Sequence, residues 1–109
     1  MITEEQVQEA FDYLNENADK AAQARAERLY MEDYTKVVRA ELMGECDETA
    51  IGAQERFAYA HPTYKQHLEN LRTAIARDEK HRFTLNAKTA LLDAWRTEQA
   101  SQRAMGKVV

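Results

Sequence analysis

PTYKQHLENLRTAIARDEKHRFTLNAKTALLDAWRTEQASQRAM, residues 62–105, contains no glycine and no proline after its first residue, so nothing punctuates a helix before Gly106. The spacing predicts one long helix. At about 1.5 Å per residue it would run to roughly 65 Å, longer than a compact domain of this chain length is wide. Such a rod needs a partner. Tyr64, Leu68, Leu71 and Ile75 open it at 4-3-4 spacing and Leu85 and Leu92 keep that register, the pattern of a helix laid against another helix.

The register breaks in the middle of the stretch. Asp78 and Arg82 fall where apolar residues are due, inside Arg77-Asp78-Glu79-Lys80-His81-Arg82. The plain expectation is a solvated section with Asp78 and Arg82 paired at i, i+4, and the sharper one is a polar layer that fixes register. Beyond it Phe83, Ala87, Ala90, Leu91, Ala94 and Trp95 make a second apolar block, offset around the helix from the first. Two blocks facing different ways suit two partners, one within the chain and one from another subunit. Tyr64, Leu68, Leu71, Ile75, Leu91 and Trp95 are therefore the candidate interface residues, and the lone Trp95 is its anchor or a core residue.

Upstream, Thr3-Glu4-Glu5-Gln6 reads as a capping box, with Ile2 and Val7 placed for a hydrophobic staple, so a helix begins at Glu4. Val7, Ala10, Phe11 and Leu14 share one face. Asn15-Glu16-Asn17-Ala18-Asp19 competes with helical hydrogen bonding, and a turn capped by Asn17 is expected there; an unbroken helix from Glu4 to Met43 is the alternative. From Ala18 to Met43 the pattern is helical again, with Tyr30 and Tyr34 expected in the core with hydroxyls reaching water. Gly44 suits a C′ position, Asp47 or Thr49 a cap for a short helix over 50–60, and His61-Pro62 ends that helix and starts the long one. The expected elements are 4–16, 18–43, 50–60 and 62–105 in a single domain, an all-α helical hairpin or small bundle with coiled-coil-like packing.

Charge divides the chain. Residues 1–60 carry fourteen acids and six bases, residues 61–109 five acids and nine bases, so balances of −8 and +4 sum to the net −4. An acidic first half folding back on a basic last helix accounts for this, within the chain or across a homo-oligomer. The competing use is nucleic-acid binding through Arg72, Lys80, Lys88, Arg96 and Arg103, which the acidic half would oppose. A third is an acidic inhibitor or DNA mimic built on the first half.

Catalytic patterns are missing. There is no Gly-rich phosphate loop, His-Glu-x-x-His, paired cysteine or supported Ser-His-Asp order, and His61, His67 and His81 lack the spacing of metal ligands. Cys46 sits among Glu45, Asp47 and Glu48, which oppose a reactive thiolate. No enzyme, cofactor or metal is expected. The acidic start and the lack of a long apolar run predict a cytoplasmic protein that does not enter the membrane.

Ala10-Phe11-Asp12-Tyr13-Leu14 with Asn17-Ala18, Ala24-Arg25-Ala26 with Tyr30, Ala53-Gln54-Glu55-Arg56 with Ala58-Tyr59-Ala60-His61-Pro62-Thr63-Tyr64, and Ala94-Trp95-Arg96-Thr97 with Arg103-Ala104-Met105 resemble a group of small tailed-phage and prophage proteins without assigned function. The resemblance spans nearly the whole chain. It implies an accessory role in phage DNA recombination or replication inside a bacterial host, with an unidentified phage or host protein as partner. It brings no active-site residues with it.

Overall fold

The computed structural model describes residues 1–108 as three helices, with no strand among them: α1 (Glu4–Glu45), α2 (Ile51–Ala60) and α3 (Pro62–Val108). The fold is all-α, as the punctuation of the sequence requires.

α1 starts where its cap places it. Gln6 N–H donates to Thr3 Oγ1 at 3.1 Å and Thr3 N–H to Gln6 Oε1 at 2.9 Å, satisfying two donors that the first turn leaves free. The helix then runs unbroken to Glu45, so the expected turn at residues 15–19 does not form and 4–16 and 18–43 are one element. Asn17 turns its competing amide to use: Nδ2 donates to the Tyr13 carbonyl, 2.9 Å away, inside the helix rather than across a turn. Around it Ala18, Lys20, Ala21 and Ala22 are strong helix formers.

The other boundaries also shift. Gly44 lies inside α1 with no left-handed backbone, and Cys46 N–H closes the last turn on Met43 O at 3.2 Å. Neither Asp47 nor Thr49 caps α2; its N-cap is Ala50, without a side-chain hydrogen bond, while Gln54 Nε2 ties back to Glu48 O at 2.9 Å. His61 takes extended backbone after α2, as a residue before proline should, and its Nδ1 accepts from Thr63 N–H at 3.1 Å in the first turn of α3. Gly106 does not stop α3, which continues past the expected end at Met105.

The chain divides into two compact units. In the first, Met1–Ala22 packs with the segment from Lys80 onward. Val7, Ala10 and Leu92 are buried there, covered by Ile2, Leu14, Leu91 and Trp95. The Ile2 N–H lies 3.2 Å from the Glu98 carboxylate and Lys88 sits over Tyr13, so the two helices run antiparallel.

The second unit is Gln23–Glu79. Val38, Leu42 and Ala58 form its core with Met43 and Tyr64 against them, which fixes α2 through the wholly buried Ala58. Arg28 meets Asp78 and Thr35 meets His67, again antiparallel. No large side chain among the described residues is fully buried. Stability rests on many shallow contacts rather than on a deep core.

Candidate interaction surface

Burial along both long helices repeats by threes and fours. On α1 the covered or half-covered positions include Val7, Ala10, Leu14, Asn17 and Ala21 in the first unit, and Ala24, Arg28, Met31, Thr35, Val38 and Leu42 in the second. On α3 they include Tyr64, His67, Leu71, Ala74 and Asp78, then His81, Leu85, Lys88, Leu92, Trp95 and Gln99. A seven-residue repeat of this kind keeps one face of each helix turned toward its neighbour.

The seam corrects the register read from apolar residues. Tyr64, Leu71, Asp78, Leu85 and Leu92 belong to both. The alternate positions are His67, Ala74, His81 and Lys88 rather than Leu68, Ile75 and Arg82, and Leu68 is 42% exposed.

Polar groups in the seam are matched. Asp78 is only 5% exposed, so the expected solvated section is replaced by a buried charged contact. Arg28 Nη1 donates to Asp78 at 3.1 Å and to Glu79 at 2.8 Å, and its Nε donates to Glu32 at 2.9 Å. Bonds to Glu32 first, then to Glu79 and Asp78, push the guanidinium above its already high pKa and keep it charged. Such a layer penalises slipped pairings, since a shift leaves Asp78 buried without its counter-ion.

A second polar contact lies two turns along α1. Thr35 Oγ1 donates its one proton to Met31 O at 3.0 Å, so the 2.8 Å contact with His67 Nε2 has the ring N–H as donor. Among the described residues no buried side-chain polar atom lacks a partner.

The expected interface residues separate. Tyr64 packs on Val38, Leu42 and Ala58 and meets Tyr59 edge-on at 5.3 Å; Leu91 and Trp95 cover Val7, Ala10 and Leu92. These three serve the chain's own fold. Leu71 and Ile75 are half-buried, and Leu68 faces water.

The nucleic-acid candidates do not converge. Lys88 is half-buried, its Nζ 5.4 Å from the Tyr13 ring centroid. Arg96 lies 3.7 Å from Asp93, and Arg72, in the other unit, 3.8 Å from Glu69. Lys80, Lys88 and Arg96 are eight residues apart, which turns each about 80° from the last. Arg103 is exposed beyond them. Lys80, Lys88 and Arg96 thus wind around the helix, while Arg96 and Arg103, seven residues apart, share one side of it.

What faces outward is apolar in places where water should be met by charge. Tyr30 is 63% exposed and so is not the core residue expected of it, while Tyr34, 36% exposed, keeps its ring 6.2 Å from buried His67; the two tyrosine rings stack at 5.7 Å with Val37 beside them on the same face of α1. Their 4-3 spacing was visible in the sequence, but their exposure follows from which face the seam uses. In the other unit the outward face of α1 carries Glu5, Glu9, Asp12, Glu16 and Asp19, all exposed, at 4-3-4-3 spacing.

No group of His, Cys, Asp and Glu among the described residues could hold a metal ion, and no helix there is long and apolar enough to cross a membrane. No protein-family model, curated protein or solved structure matches the chain.

Proposed function

We propose that this chain is a non-catalytic interaction protein: an accessory factor of the tailed-phage kind its sequence resembles, acting through protein contacts in phage DNA recombination or replication in the host cytoplasm. The observation that supports it is the outward face Tyr30–Tyr34–Val37. Two stacked, exposed tyrosines with an exposed valine form the kind of rigid aromatic anchor that centres protein interfaces, at little entropic cost to the binding side chains.

The test is capture from cells in which the phage or prophage is active, with the wild-type chain and the Tyr30→Ser/Tyr34→Ser double variant as baits. A protein held by the first and lost by the second, with circular dichroism unchanged, is the expected result. Equal recovery on both baits would overturn the reading.

The five-carboxylate face of α1 favours a second reading, an acidic inhibitor or DNA mimic directed at a basic protein. Direct nucleic-acid binding is the weaker alternative, because of its cations on α3 only Arg96 and Arg103 share a side, and Arg96 lies 3.7 Å from Asp93. Titration against single- and double-stranded DNA at two salt concentrations separates these: a shift at low salt that vanishes at high salt would reinstate it.

A further inference from the structure

The outward side of α3 in the Lys80 segment is more uniformly uncharged than the side it turns inward. Phe83, Ala87, Ala90, Ala94, Thr97, Ser101 and Ala104 follow one another at 4-3-4-3-4-3 spacing, all exposed, with Phe83 67% and the neighbouring Met105 71% accessible. No charge interrupts them, in a chain that is 31% charged. The inward positions of the same segment include His81, Lys88 and Gln99. Leu91 and Trp95, adjacent in sequence to this face, are turned into the fold.

We propose that this face docks a second copy of the chain, α3 against α3 and antiparallel. The proposal deepens the interaction reading above by naming one partner. What selects a second copy is the order of sizes: reversed and laid on itself, the face sets Phe83 opposite the partner's Ser101, Ala87 opposite the partner's Thr97, and Ala90 opposite the partner's Ala94. Each layer then holds a small residue, and each large ring meets the space left by a serine. Small residues at a helix contact let the axes approach to about 8 Å.

The contact is modest in size. The self-paired length, Phe83 to Ser101, is about 27 Å, which gives an interface of at most on the order of 1,000 Å² in total, at the lower bound for a specific pair. A contact of this size is expected to give a reversible dimer. One charge works against it: Asp93 borders the face near the two-fold axis and meets the partner's Asp93 there, each with its own Arg96 3.7 Å away.

Sedimentation velocity on the full chain over a concentration series is the experiment. A monomer–dimer equilibrium is expected for the wild type. Ala90→Glu should raise the dimer Kd more than about tenfold with unchanged helicity, since it buries a charge against an alanine, and Asp93→Asn should lower it. In a Cys46→Ser background, Phe83→Cys and Ser101→Cys chains should form a mixed disulfide on oxidation, while Phe83→Cys alone should not link to itself.

A wild type that stays monomeric throughout, Ala90→Glu chains that associate as well as wild type, or self-linking of Phe83→Cys would each overturn the proposal. Ala90→Glu leaves Tyr30 and Tyr34 intact. Loss of the dimer is therefore read separately from loss of a captured partner.

Discussion

Arg28 and Asp78, fifty residues apart in the chain, meet at 3.1 Å in the seam between α1 and α3, with the carboxylate 7% exposed and the guanidinium 25%. The pair is unequal in what its loss exposes. Arg28→Ala takes from a buried carboxylate the guanidinium 3.1 Å away, whereas replacing both residues by leucine removes the desolvation cost along with the contact. The single variant is expected to lose several degrees in Tm, and Arg28→Leu/Asp78→Leu to recover most of it while weakening the preference for one pairing register. Thermal denaturation of the three chains checks the order; a double variant less stable than Arg28→Ala would contradict it.

Thr35→Val keeps the shape of the side chain and removes the acceptor of His67. With His67 only 9% exposed, its Nε2–H would then face an apolar methyl, at a cost of about 1–3 kcal/mol. Urea denaturation gives the magnitude. Nitrogen chemical shifts of the wild-type ring should show the proton on Nε2.

At the start of α1, Thr3→Ala removes the acceptor of Gln6 N–H and should cost about 1 kcal/mol. The loss belongs to the first turn, so hydrogen exchange at the Gln6 amide should quicken while amides around Ala24 keep their order. Thr3→Ser should restore it.

Ala58 has no exposed surface and is the one buried residue of α2. Ala58→Leu would force α2 away from Val38 and Leu42 and is expected to cost about 1–3 kcal/mol, with α2 loosening first. Ala40→Leu, at an exposed position of α1, is the control and should change stability little. Equal effects from both would argue against the close approach of α2.

These contacts also show what the sequence could and could not reveal. The Thr3–Gln6 box and the His61-Pro62 junction are local chemistry, and both form where their residues place them. The length of α3 as far as Met105 followed from missing glycine and proline, and its passage through Gly106 did not. The seam was only half legible, because its alternate positions on α3 are His67, Ala74, His81 and Lys88, and apolar periodicity passes over them to Leu68 and Ile75. What makes such polar residues tolerable is a partner far along the chain: Thr35 for His67, Arg28 for Asp78, Tyr13 for Lys88. Asn17 misled for a similar reason, since its competing amide bonds back to Tyr13 O within the helix. The exposure of Tyr30 and Phe83 could not be read until the facing side of each helix was known.

The sevenfold spacing limits how such a chain can change in length. Adding one residue to either arm would swing every later side chain by about 100°, carrying covered residues into water and carboxylates into the interior. Natural variants that are shorter or longer should therefore differ by whole multiples of seven, with each gain in one arm matched by an equal gain in the other.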